Sequence, residues 1–115
     1  MYIEVRGKGD KGFAVLQEPE DCKRFKVVVD ASLSLAALSV ALSGIGRMER
    51  HDTIWVHSDA IRRLATGRVD KAWESAFGRM VDFVRTKGWL DEATGDIRAH
   101  CEIADFSNNP ANPPP

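Results

Sequence analysis

Apolar and polar residues alternate in five stretches of the chain, which is the period of a half-buried β-strand. In the first stretch, YIEVR, Ile3 and Val5 fall on one face of the strand and the polar side chains fall on the other. The five predicted strands span residues 2–6, 13–17, 24–30, 53–57 and 97–103. Short links join the first three, so the pattern predicts that they form an antiparallel meander.

Apolar residues recur every three or four positions in three other segments, which predicts helices near 31–45, 59–66 and 70–87. In the last of these, Trp73, Phe77 and Val84 lie on one stripe, and Gly88 stands where a left-handed C-cap belongs. The helix near 31–45 has no charged side chain. A helix that is apolar on nearly every side is expected to be largely covered.

These elements together predict an α+β fold. An antiparallel sheet of about five strands is covered on one face by two longer helices and one short helix. We expect a single domain over residues 1–105. Residues 106–115 are rich in proline and asparagine, which predicts a disordered tail.

Composition narrows the class of protein. The chain has 115 residues, of which 43% are hydrophobic and 29% charged, and this balance is typical of a globular domain. Its formal charge of −1 gives the whole molecule no attraction to nucleic acid or to an anionic membrane. No apolar stretch is long enough to span a bilayer, and no signal-peptide pattern opens the sequence. Cys22 and Cys101 have no metal-ligand spacing. We expect a cytoplasmic protein with reduced thiols, and one disulfide between these cysteines is the alternative.

The segment EVRGKGDKGFAV contains a G-x-G-x-x-G pattern at Gly7, Gly9 and Gly12, which is typical of dinucleotide-binding folds. That fingerprint requires a helix opening at its third glycine. The residues after Gly12 are strand-like and run into Pro19, which breaks helices. The pattern therefore predicts the turn of a β-hairpin and no nucleotide cofactor.

Two histidines define the candidate ligand pocket. His57 ends a predicted strand beside Trp55, Asp59 follows it, and His100 lies on the last strand. A structural interpretation competes with this one, because Asp59 can cap a helix and His100 can lie on a solvated face of the sheet. The sequence predicts no catalytic residue and no metal site, since a metal needs three or four converging ligands.

Nucleic-acid binding is the third candidate function of this chain. The helices near 59–66 and 70–87, with the following strand as a wing, match the order of a winged-helix domain. Residues 47–68 contain five arginines and three acids. The acids of the would-be recognition helix largely cancel its basic residues, and this argues against a surface that reads nucleic acid.

The function predicted from the sequence is that of a small cytosolic, non-enzymatic domain that acts through protein–protein contact or self-association. The uncharged helix carries a stripe of small residues, which permits a second copy to approach closely: Ser32, Ala36, Ser39 and Ser43. One alternative is a small-ligand binder or enzyme with a pocket near His57 and His100. The other is a winged-helix-like nucleic-acid binder.

Overall fold

The computed structural model describes residues 1–8, 11–50 and 52–104, in which seven strands and three helices form an α+β fold. The strands are β1 (Tyr2–Lys8), β2 (Lys11–Gln17), β3 (Lys26–Asp30), β4 (Gly46–Arg50), β5 (Thr53–His57), β6 (Leu90–Asp91) and β7 (Asp96–Ala104). The helices are α1 (Leu35–Leu42), α2 (Ser58–Ala65) and α3 (Ala72–Thr86). The predicted tail over 106–115 lies outside the described residues.

The sheet is mixed, so the prediction of a five-stranded antiparallel sheet is wrong. Its strand order is β2-β1-β3-β7-β5-β4, and β6 also pairs with β7. β3 runs parallel to both β1 and β7, whereas the other pairs are antiparallel. The strand that comes last in the order of the chain therefore lies in the middle of the sheet.

The link between β2 and β3 explains why the predicted meander does not form. Gln17 at the end of β2 and Lys26 at the start of β3 both pair with Tyr2, on opposite sides of β1. Residues 18–25 thus pass the end of β1 and return the chain in the direction of β1. The indole of Trp73 holds this link by donating a hydrogen bond of 2.6 Å to the carbonyl oxygen of Pro19.

The predictions missed two strands because each lacks a hydrophobic period. β4, with the sequence GRMER, contributes only Met48 as an apolar side chain and lies at an exposed edge of the sheet. Charged side chains suit such an edge because they discourage pairing with another chain. β6 has two residues, which is too short for any alternation to show.

The first helix is shorter than the predicted 31–45. The carboxylate of Asp30 accepts hydrogen bonds of 2.9 Å from the backbone N–H and the hydroxyl of Ser32, which holds the chain in a turn. α1 begins only after Ser34, whose hydroxyl caps it by accepting a bond of 3.0 Å from the N–H of Ala37. Gly44, with a φ of +78°, follows its last turn.

The G-x-G-x-x-G segment forms the β1–β2 hairpin, in which Gly7 pairs with Gly12. Gly12 lies within the strand β2, so no helix opens at the third glycine of the pattern. Gly12 also lies against α1, where a Cβ atom would come within 2.9 Å of the carbonyl oxygen of Ala37. Gly9 lies outside the described residues.

The helices cover one face of the sheet, and the core lies between these two layers. On the core side of β7, Ile97, Ala99 and Cys101 are buried, as the period-two pattern predicts, whereas Ile103 is exposed. The helices supply the rest of the core, with Phe77 stacked on Trp73 at 4.8 Å between ring centroids. The opposite face of the sheet carries the polar side chains of the same strands.

Candidate functional site

A gap in the sheet forms one side of a concave surface in the described part of the chain. On one flank, β7 pairs with β6 through Asp96 and Ile97 and with β3 only from His100 onward. Arg98 and Ala99, which lie between, have no strand partner on that flank, although the N–H of Arg98 bonds the carbonyl oxygen beside β6. β3 begins at Lys26, so the gap opens beside residues 23–25.

Two adjoining cavities form a groove at this gap. The first has a volume of about 370 Å³ and the second about 610 Å³. Both are bordered by Lys23, Met80 and Phe83. The groove therefore runs along α3, beside the link that precedes β3, and reaches β7 at the gap.

Aromatic side chains line the first cavity. Phe83 from α3 is 54% exposed and Trp89 before β6 is 41% exposed, although both are large apolar groups. Phe25 completes the apolar wall, and Met80 closes its floor as part of the core. Exposed aromatic groups around a concave surface are a common feature of ligand sites.

Positive charges stand at the rim of the first cavity. Lys23 and Arg24 are exposed and make no ion pair within residues 1–8, 11–50 and 52–104. Arg98 lies 3.9 Å from Glu49, which offsets part of its charge. Asp52 is the one carboxylate among the residues that line this cavity.

The four residues of the predicted ligand pocket lie apart in the structure. His100 borders the groove, and His57 lies on the neighbouring strand four register positions away. Four strand residues span about 13 Å, so the two imidazoles do not converge on one small ligand. Trp55 donates a 2.6 Å hydrogen bond to Glu49, and Asp59 pairs with an arginine of α2 on the surface. A pocket that uses all four residues stays a prediction.

His57 has a buried partner that sequence reasoning missed. Its Nδ1 atom lies 2.7 Å from Oδ1 of Asp96, a residue that is only 2% exposed. An ionised carboxylate only accepts hydrogen bonds, so in a contact with ionised Asp96 the proton is carried by Nδ1 of His57. The pairing follows from strand register, because His57 and Asp96 are opposite each other in β5 and β7.

The outer face of α1 is the second surface with unusual character. Leu35 is 85% exposed and Val40 is 67% exposed, and Ala36 and Ser39 between them are exposed too. The helix, LAALSVAL, contains no charged residue. The prediction that this helix is largely covered is therefore wrong for a single chain.

Metal-ligand clusters and membrane-spanning helices are both absent from the described part of the chain. Within residues 1–8, 11–50 and 52–104, no three histidine, cysteine or acidic side chains come together as metal ligands. No helix in these ranges has the length and apolar character needed to span a membrane. Comparison with protein-family models, with curated proteins and with solved structures finds no match to this chain.

The groove was beyond prediction from the sequence. Lys23 and Arg24 lie in a polar link whose sequence predicts a turn. Trp89 follows the end of a helix, where the sequence predicts that it packs on the last helical turn. Only the interruption between β6 and β3 brings these residues together. No local pattern reports such an interruption, because it arises from the pairing of distant strands.

Proposed function

We propose that this protein is a small interaction domain that pairs with a second copy of itself through the outer face of α1. The observation that carries the proposal is the exposure of Leu35 and Val40 on a helix without charge. Isolated apolar residues on a surface are ordinary, but two large exposed apolar side chains on one uncharged helix face are typical of an interface.

The geometry of the helix supports a continuous contact. Positions 35, 36, 39, 40 and 43 fall within one stripe at the α-helical period. Large side chains at Leu35 and Val40 flank small ones at Ala36, Ser39 and Ser43. Small residues let two helix backbones approach closely, and burying this face requires no charge to lose its water.

A second copy is the occupant that this surface suits best. Closed dimers use the same patch on both subunits, so the patch must be compatible with itself. An uncharged face meets that requirement because no like charges are brought together. α1 also packs on β2, which is an edge strand of the sheet, and edge strands are surfaces on which another chain can pair.

The test is the molar mass measured by light scattering behind a sizing column at micromolar concentration. We expect a dimer mass for the natural chain and a monomer mass for Val40→Lys, because dimerisation would then bury a lysine from each copy in an apolar contact. Lysine is a good helix former and suits the C-terminal end of α1, so the fold should be retained. Met48→Lys adds the same charge on β4 and is expected to stay dimeric. A monomer mass for the natural chain contradicts the proposal.

A second candidate function is acid–base or ligand chemistry at His57, which the contact with buried Asp96 favours. A carboxylate that orients an imidazole is a common feature of general bases. Diethyl pyrocarbonate, which acylates an imidazole nitrogen, should modify His57 faster in the natural chain than in Asp96→Asn. Modification at equal rates would contradict an activating role for Asp96. Nucleic-acid binding stays a prediction, and fluorescence anisotropy with labelled duplex DNA at low salt tests it.

A further inference from the structure

We propose that the groove beside α3 binds a small organic anion with an apolar body, such as a single-chain carboxylate. This site is separate from the self-association surface, because α1 packs on β1 and β2, whereas the groove is lined by α3, β7 and the link that precedes β3. The proposal therefore does not depend on whether the protein dimerises.

The walls of the groove are apolar and favour a ligand with an apolar body. Phe25, Phe83 and Trp89 surround the first cavity, and Met80 and Val84 join them from the core side of α3. The two adjoining cavities follow α3 from Ala76 to Val84. Volumes of about 370 and 610 Å³ fall within the range of small-molecule sites, roughly 300 to 1,000 Å³.

The charged side chains that line the first cavity favour a ligand with a negative group. In the second cavity Glu20 and Asp21 oppose Arg79, whereas the first cavity is lined by Lys23, Arg24 and Arg98 against one acid, Asp52. This local excess of two positive charges stands in a chain whose formal charge is −1. Because Lys23 and Arg24 have no ion-pair partner among the described residues, a carboxylate at the rim gains hydrogen bonds without displacing an existing one.

The position of the cations relative to the aromatic wall favours an amphiphile over a simple inorganic ion. Lys23 and Arg24 precede Phe25 directly in the chain, so charge and apolar surface adjoin beside the point where the two cavities meet. A phosphate or sulfate ion would use the cations and leave Phe83 and Trp89 exposed. A ligand with both parts covers the aromatic surface as well, and that burial adds affinity.

The protein is titrated with decanoate below the micelle-forming concentration of this ligand. Binding is measured from the indole N–H signal of Trp89 in two-dimensional NMR. Decanoate should shift this signal saturably and leave the signals of Trp55 and Trp73 in place. Decyltrimethylammonium, which has the same chain and the opposite charge, should bind at least roughly tenfold more weakly, since a charged hydrogen bond is worth about one factor of ten or more.

Two variants separate the charge from the apolar wall. Lys23→Gln/Arg24→Gln should weaken decanoate binding roughly tenfold or more. Arg47→Gln/Arg50→Gln removes the same charge from β4 and should leave the affinity unchanged. Phe83→Ala, at an exposed position where folding is not at risk, should weaken both probes.

Three results would overturn the proposal. The first is a Trp89 signal that decanoate does not move. The second is a natural chain that binds decanoate and decyltrimethylammonium with equal affinity, or two double variants that bind decanoate with equal affinity. The third is a Trp89 signal that changes with protein concentration alone, because a second copy of the chain would then fill the groove.

Discussion

Cys22 and Cys101 differ in burial, and this difference predicts the order in which they react. Cys101 lies in the core at 3% exposure, whereas Cys22 is partly exposed beside the groove. Burial raises the pKa of both thiols, so neither is activated. Access therefore decides the rate, and a thiol reagent followed by mass spectrometry should label Cys22 first in the native protein. Equal rates are expected in urea, and faster native labelling of Cys101 would contradict the register of β7.

One hydrogen bond lowers the pKa of the Glu49 carboxyl group. The indole N–H of Trp55 donates to its carboxylate at 2.6 Å, and this bond is the main reason that the pKa of Glu49 lies below its ordinary value. The stability contributed by the contact is therefore present above the ordinary glutamate pKa and is lost as the pH falls through the lower, folded pKa.

Replacement of Trp55 by phenylalanine tests this account. The pKa of Glu49, followed by carboxyl NMR during a pH titration, should rise toward the ordinary glutamate value in Trp55→Phe. It should still fall short of that value, because Arg50 and Arg98 continue to favour the charged form. Trp89→Phe is the matched control and should leave it unchanged. An unchanged pKa in Trp55→Phe would assign the effect to the arginines alone.

The contact between α1 and β2 depends on the absence of a side chain at Gly12. An added Cβ would come within 2.9 Å of the Ala37 carbonyl oxygen and 3.2 Å of the Ala41 methyl group, so the helix must shift. Gly12→Ala should destabilise the fold by roughly 1–3 kcal/mol, the usual range for overpacking. Urea unfolding followed by circular dichroism measures the change.

Gly78 provides the opposite case within α3. An added Cβ there meets nothing within 4 Å, so Gly78→Ala has no steric cost. Alanine is the better helix former, and the substitution should stabilise the protein by up to about 1 kcal/mol. If both alanine variants shifted stability in the same direction, the close approach of α1 to β2 would not be the cause.

Local patterns predicted those elements whose burial repeats with the period of their own backbone. The alternation in IRAHCEI placed Ile97 and Cys101 on the core side of a strand, and the structure buries both. The same reasoning extended the first helix too far, because it could not register that the Asp30 carboxylate holds Ser32 in a turn. The direction of β3 relative to β1 could not be predicted from local patterns either, since it depends on the path of residues 18–25 around the end of β1.

The central position of β7 predicts how stability is distributed over the whole molecule. β7 pairs with β3, β5 and β6, whereas β2 and β4 each have one partner. Its backbone amides should therefore exchange with deuterium mainly through global unfolding, and those of β2 and β4 should exchange faster through local opening. Hydrogen exchange followed by NMR measures these rates. Equal protection in β4 and β7 would contradict the prediction.

The same strand has a consequence for biosynthesis. β2, β1 and β3 form one group and β4 and β5 another, and only β7 pairs with both. A nascent chain whose residues 96–104 are still inside the ribosome thus carries two incomplete sheets, each with an unsatisfied strand edge toward the missing centre. Such edges are the surfaces at which polypeptides associate incorrectly. Ribosome-bound chains that stop short of residue 96 should accordingly recruit chaperones, and the need should disappear once β7 emerges and joins the two halves.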